Sequence, residues 1–518
     1  MIVAKFGGTS VADSSCITQV LEIVQNNSKK QIVVVSAFGG ITNMIQESAA
    51  LAADGDLKYQ EILLEIEKRH LSCIKKLIPI KTQSEALSQI KQQINALGTL
   101  HEGVYLLKEL SPSTKDHMLG FGELLSYFII AKAAEVKKLD VGLKNARDLI
   151  FTSEDMGKNM IDYPKTFESI RSYFKTIGHR ITIVPGFVAS DLNGVPTTLG
   201  RGGSDLTAAL FASALDADQL EIWTDVSGMF TAHPKYVKQA RAIKQLSYHE
   251  AMELSHFGAK VIYPPTLQPV AEKNIPVVVK NTFQPDEPGT FISKESASNG
   301  DVVRGISYIE NIALLTLEGS GMVGIPGYSK KLLSTLAKAK INVIMMTQAS
   351  SEHSICIGIG NDLAIYAKKL IENDFDYEIE TQRINPISIE NNLSIIALVG
   401  EKMKSFQGIS GKMFSALGRN NVNVKAIAQG ASERNITAVI DSTNTKQALN
   451  ILHEAFFEED IKQINLFVTG VGNVGSKFID QLNSQKEYLQ NQLRLNIKVS
   501  GISKSLKVTI KQNKNVRK

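Results

Sequence analysis

The sequence predicts an α/β protein: a mostly parallel sheet with helices on both faces, then a duplicated small module, then a strand–helix–strand unit. Three observations predict it. Apolar strands and Gly-rich turns adjoin around residues 1–10, 31–43 and 194–235. From residue 301 the texture shifts to short strands around turns, and sliding the chain on itself by 81 residues aligns 327–355 with 408–436, identical at 11 of 29 positions. Near the C-terminus, Gly470-Val471-Gly472-Asn473-Val474-Gly475 stands between an apolar strand and a helix, the context a dinucleotide fingerprint requires.

The opening MIVAKFGGTS is a strand that delivers Lys5, Gly7 and Gly8. A lysine at a strand end beside paired glycines suits polyphosphate, because the loop supplies backbone donors and the lysine a mobile charge. It is not a Walker loop, since GxxxxGK[ST] is absent. A second strand at 31–36 ends in the turn 37–43, which carries Thr42. Residues 57–78 and 84–110 have apolar side chains at helical spacing (Ile62, Ile66; Ile90, Ile94, Leu97) on either side of Pro79, and read as a helical cover and dimer surface without chemistry. The helix 121–136 places Glu123 in its first turn, where a carboxylate ordinarily complements the helix dipole. Residues 181–187 form a buried strand and turn.

The densest stretch is 194–235. Gly200, Gly202 and Gly203 free the backbone to approach an anion at a helix N-terminus, and the same turn carries Arg201, Ser204 and Asp205. The strand 219–224 follows, and its turn 225–228 lies at a carboxyl end, where open α/β sheets bind ligands. Both turns therefore face one crevice. A helix at 248–257, a turn at 258–261 and a strand at 275–280 complete the domain, which Pro285, Pro288 and Gly289 close near Ser293.

Taken together, KFGGTSV (5–11), SAFGGITN (36–43), FGELLS (121–126), LGRGGSD (199–205), TDVSG (224–228) and ELSHFGAKV (253–261) resemble the aspartate kinases of the amino-acid-kinase fold, a resemblance that covers the first 460 residues. The duplicated part resembles tandem ferredoxin-like ACT domains, and the end resembles the start of the homoserine dehydrogenase half of bifunctional aspartate kinase–homoserine dehydrogenases. The implied domains are a kinase at 1–295, ACT domains at 308–385 and 390–460, and a truncated Rossmann-like NAD(P)-binding remnant with a basic tail at 463–518. The implied reaction is ATP plus L-aspartate giving ADP and 4-phospho-L-aspartate, the first step toward lysine, threonine and methionine.

The resemblance also implies roles. Lys5, Arg201 and Asp205 are the catalytic residues, and Thr42, Glu123, Arg201 and Ser204 bind aspartate, Glu123 through the substrate ammonium. Lys5, Gly7, Gly8, Thr224, Asp225, Phe230, Lys235, Lys260 and Val261 hold ATP, with Mg²⁺ bridging its phosphates and no protein metal cluster. Gln348 and Gln429 bind the effector, with threonine favoured and lysine the alternative; an amide offers a small zwitterion both a donor and an acceptor. A homodimer or homotetramer is expected. Two positions depart from the family, where tyrosine is common at Phe230 and aspartate at His233, so a hydroxyl and a carboxylate near the nucleotide are missing. The acceptor carboxylate is already an anion and needs no general base, so catalysis reduces to neutralising and aligning two anions.

Composition sets the remaining expectations. The formal charge of +5 resides in seven Lys/Arg, with no Asp or Glu, after residue 495; the rest is near neutral, and nucleic acid is not an expected partner. Cys16, Cys73 and Cys356 are scattered without CxxC pairing, so neither a disulfide framework nor a zinc site is indicated. No apolar run reaches the roughly 18 residues of a membrane span and no signal-peptide pattern opens the chain, so a cytoplasmic enzyme is expected. Two other readings stand beside the kinase. One is a catalytically silent amino-acid sensor. The other, an active homoserine dehydrogenase, is not expected, because after the second strand the chain reads KVSGISKSLKV and stops at Lys518 without an acidic ribose ligand.

Overall fold

In a computed structural model the described residues are 1–155, 158–256, 261–295, 302–348, 353–429, 434–458, 462–491, 495–504 and 507–510. An eight-stranded sheet forms the kinase part, in the order Gln245–Ser247, Thr290–Ser293, Val277–Asn281, Gln219–Thr224, Ile2–Phe6, Gln31–Val35, Ile181–Pro185, Val141–Leu143. All its neighbours run parallel except Val277–Asn281 against Thr290–Ser293. Gln31–Val35 and Ile181–Pro185 are buried at every position, as strands covered on both faces must be. Along Ile2–Phe6 the faces alternate: Val3 joins the core beneath the Gly203–Ala214 helix, whereas Ala4 and Phe6 join the core beneath Ser14–Asn26 and Phe121–Val136. Lys5 shares Val3's face and therefore points toward the Gly203–Ala214 helix.

The helical cover comprises Tyr59–Leu77 and Ile80–Leu107. The second helix starts four residues earlier than the spacing suggests, because Pro79 is its N-cap, a position that needs no intrahelical donor. Several helices were not foreseen, among them the next two. Ile41–Ala53 begins inside the expected turn, entered through Gly40 at φ 83°, and Pro112–Leu119 is capped by Ser111, whose hydroxyl accepts from the Thr114 amide. The cover also holds the turn, since Arg69 Nη2 donates to the Gly39 carbonyl at 2.9 Å. A four-stranded sheet (Lys158–Ile161, Phe151–Asp155, Val188–Asp191, Pro196–Thr198) forms a flap beside the large one.

The duplicated part forms one antiparallel sheet of six strands, in the order Met345–Gln348, Ser354–Gly360, Gly305–Glu318, Ser388–Val399, Asn435–Asp441, Val424–Gln429. The two copies are not self-contained, because they share strands. Ser388–Val399 begins against Leu314–Thr316, closing the first copy, and continues as the leading strand of the second. The second copy is closed by residues 305–309, which precede the first copy and pair with 395–399. Sharing these strands leaves neither copy an unpaired edge at the centre. One face of the sheet continues the kinase core, with Ile312, Leu314, Ile395 and Val439 in the cluster that holds Leu254.

The C-terminal segments form their own three-stranded sheet, Lys462–Thr469, Leu495–Lys504 and Lys507–Ile510, the first two parallel. Gly470 takes φ 89°, and a Cβ at Gly475 would overlap the Gly470 carbonyl, so the fingerprint glycines allow a close strand-to-helix turn. The basic tail beyond residue 510 lies outside the described residues.

Candidate active site

Lys5 and Asp205 meet at the carboxyl end of the large sheet, Nζ to Oδ1 2.6 Å, with only 12% and 11% of their side chains exposed. Glycines make this approach possible. A Cβ at Gly8 would lie 3.1 Å from the Ala37 carbonyl, closer than an ordinary contact. Gly202, at φ 70°, caps the Gly203–Ala214 helix where a Cβ would overlap Tyr263, and a Cβ at Gly186 would lie 2.6 Å from Ser204 Cβ. One expectation is corrected here: the Gly7 amide, expected to donate to a phosphate, donates instead to the Trp223 carbonyl at 3.0 Å.

A cleft of 630 Å³ is lined by Lys5, Gly8, Thr42, Glu123, Arg201, Ser204 and Asp205, which come from four separate motifs. Glu123 is 4% exposed. Burial pushes its carboxyl up to about 8, against the pull of the Ala37 amide, Lys5 and Arg147, and its Oε2 has no hydrogen-bond partner among the described residues. A buried carboxylate without a full set of donors is costly unless a cation arrives, so the site is prepared for one. Sequence reasoning missed Arg147, which approaches Glu123 from Ala146–Asp148, and Lys115, Asp116 and Phe187, which line the cleft. Asp116 accepts from Asn159 Nδ2 at 2.8 Å and from the Thr198 amide at 3.3 Å, tying Pro112–Leu119 to the flap. Phe187 adopts φ 68°, and the Gly186-Phe187 turn was its only trace in the sequence.

A second pocket, of 210 Å³, gathers Thr224, Asp225, Phe230 and Val261 with His233. Ile2–Phe6 lies between Gln219–Thr224, which leads to this pocket, and Gln31–Val35, which leads to the cleft, so Lys5 stands between the two. Lys235 is not drawn in: it is exposed, with Nζ 5.9 Å from the Tyr236 ring, because the His233-Pro234 turn carries it outward. Lys260 lies outside the described residues. The described residues contain no cluster of three or more His, Cys, Asp or Glu that could cage a metal. A magnesium ion arriving with a nucleotide would be held mainly by phosphate oxygens and water, and Asp205 in the cleft and Asp225 in the second pocket would be carboxylates able to hold it.

Gln348 lines a cavity of 240 Å³ with Met322, Ile325, Tyr328 and Ser329. Its Oε1 accepts from Ser329 Oγ at 3.4 Å, and Gln429 Oε1 accepts from Ser410 Oγ at the same 3.4 Å. In each copy the serine lies in the first turn of a helix, Tyr328–Lys338 or Ile409–Arg419, whose N-terminus favours a carboxylate.

A model of the amino acid kinase family matches residues 1–281, and a model of an ACT domain matches 315–375 and 396–456. The chloroplastic bifunctional aspartokinase/homoserine dehydrogenase 2 of Arabidopsis thaliana is 34% identical over 515 residues, covering 98% of this chain and 56% of that relative. The chloroplastic aspartokinase 3 of Arabidopsis thaliana is 31% identical over 472 residues, 88% of this chain and 82% of that relative. The chain belongs to the amino acid kinase family, among its aspartokinases. It spans about half the length of the bifunctional relatives it matches. E. coli aspartokinase III, at 28% identity and covering 88% of this chain and all of that one, superimposes with a TM-score of 0.76 in its R-state complex with aspartate and ADP and 0.70 in its T-state complex with lysine and aspartate.

Proposed function

We propose that the chain is an aspartate kinase, transferring the γ-phosphoryl group of ATP to the side-chain carboxylate of L-aspartate at the first step of the route to lysine, threonine and methionine. The observation that carries this reading is the cleft that joins the Lys5–Asp205 pair to Glu123 and Arg201. Glu123 receives the substrate ammonium at its unpartnered Oε2, and the planar fork of Arg201 takes the α-carboxylate. Thr42 and Ser204 add hydroxyls, which leaves the side-chain carboxylate directed at Lys5. A carboxylate oxygen attacks the γ-phosphorus, the bond to the β,γ-bridging oxygen breaks, and ADP leaves with that electron pair. Lys5 neutralises charge on the transferring group, and Asp205 keeps its ammonium in place. Magnesium carried with the nucleotide supplies further charge neutralisation.

The nucleotide occupies the pocket of Thr224, Asp225, Phe230 and Val261, with Lys260 as a phosphate contact. Threonine, or alternatively lysine, acts at Gln348 and Gln429 as a feedback inhibitor; the lysine complex of E. coli aspartokinase III supports the principle. A homodimer or homotetramer in the cytoplasm, with residues 463–518 a dehydrogenase-like unit outside the kinase chemistry, completes the reading. The test is aspartate-dependent ADP formation with the acyl phosphate trapped by hydroxylamine. Hydroxamate should accumulate in step with ADP; folded, ATP-binding protein that yields none would make the chain a sensor.

A further inference from the structure

The pocket assigned to the nucleotide base has a wall that comes from the regulatory sheet. Ile306, Ser307 and Tyr308, at the start of Gly305–Glu318, line it opposite residues of the kinase part. Two hydrogen bonds fix this strand to the other walls: Ile306 N–H donates to the Thr231 carbonyl at 2.7 Å, beside Phe230, and Ser307 Oγ donates to the Leu254 carbonyl at 2.9 Å. His453 of the second copy holds Thr231 from behind, with Nε2 3.0 Å from its hydroxyl. The strand cannot leave without opening the pocket.

Tyr308 is the aromatic member of that wall. Its ring meets His233 edge-on at 5.8 Å and 75° and Tyr236 at 5.4 Å and 74°. Tyr236 is in turn tied to the same strand, its hydroxyl donating to Glu310 at 2.9 Å. Three rings thus hold one another, and two of them, His233 and Tyr308, line the pocket beside Phe230, Ala232, Pro234, Leu254 and Val261. A largely apolar slot with preset aromatic rings suits a flat heterocycle better than a phosphate.

We propose that Tyr308, a residue of the regulatory sheet, contacts the purine base, so that the nucleotide pocket is complete only when that sheet is docked. The inference rests on the nucleotide reading above and deepens it. The same strand, Gly305–Glu318, runs on toward Met322, which lines the Gln348 cavity.

The test is calorimetric binding of ADP and of inorganic tripolyphosphate, which has no base, to the full chain and to Tyr308→Ala, Tyr308→Leu and Tyr308→Phe. Aromatic stacking on a base is commonly worth a factor of ten or more. Tyr308→Ala and Tyr308→Leu should each weaken ADP about tenfold and leave tripolyphosphate within about twofold, while Tyr308→Phe stays near wild type. Leucine keeps apolar volume in the sheet, which guards against a folding defect in the alanine variant. If both variants bind ADP as wild type does, or lose ADP and tripolyphosphate alike, Tyr308 is not a base contact. If wild type itself binds no ADP, the nucleotide reading falls together with this inference.

Discussion

Replacing Glu123 with glutamine keeps the shape of the side chain and removes its titration, so the pH dependence of stability should change in a defined way. Burial raises the Glu123 carboxyl from 4.5 to about 8. Below pH 4.5 the group is protonated in the folded and the unfolded chain, and its full contribution to stability is present. As pH rises from 4.5 toward 8 the unfolded chain loses this proton and the folded chain keeps it, so stability falls; above 8 both are ionised and the loss is complete. At about 1.4 kcal/mol per pH unit the window amounts to roughly 5 kcal/mol at most. Glu123→Gln lacks this slope. Thermal melts of both proteins at pH 5 and pH 8.5 isolate it, because every other group titrates alike in the two. The variant's Tm, relative to wild type, should rise by several degrees between the two pH values. The same carboxyl must lose its proton when the substrate ammonium arrives, so the wild-type KM for aspartate should fall about tenfold from pH 6 to pH 7 and level off above 8. In Glu123→Gln that KM should be raised about tenfold or more at pH 8 and show no such trend. An unchanged Tm difference at the two pH values, with a flat wild-type KM, would refute the reasoning.

The remaining predictions concern regulation and domain independence. Gln348→Ala and Gln429→Ala should each shift threonine inhibition to higher concentration and spare uninhibited kcat; coupling of about 1 to 3 kcal/mol is the usual scale. Titrating wild type and both variants with threonine and lysine checks it, and a wild type indifferent to both would leave the paired modules without this effector role. Ending the chain at Asp460 should leave kinase activity intact, because among the described residues the strands after it pair only with one another and the Asn473–Ser484 helix has no fully buried residue. Soluble truncated protein without activity would make that unit part of the kinase.

What could be read in advance followed from local pattern. Gln219–Thr224 stands where its apolar run placed it, and Glu123 falls in the first turn of Phe121–Val136. The Gly200–Gly203 turn was legible because positive φ at Gly200 and Gly202 leaves a compositional mark. Other features depend on contacts between distant segments. Ile41–Ala53 was hidden because Gly39-Gly40 reads as a turn, whereas Gly40 is the helix N-cap. Gly7's amide is engaged by Trp223, 216 residues on, which no local pattern reveals. The pairing of 305–309 with 395–399 is equally non-local, and with it the entry of Tyr308 into the nucleotide pocket. Arg147 carried no sequence signal as a neighbour of Glu123, since the two meet only once the chain has folded.

The claim on which everything else depends is that Lys5, held by Asp205 between the two pockets, stabilises the transferring phosphoryl group. Steady-state kinetics of Lys5→Ala, with ADP affinity measured on the same sample, tests it most directly. The account predicts a fall in kcat of about 100-fold or more, the usual scale for removing one transition-state partner, with ADP affinity and the folded content little changed. A variant with near-normal kcat and only a raised KM would make Lys5 a ground-state binding residue and contradict the mechanism.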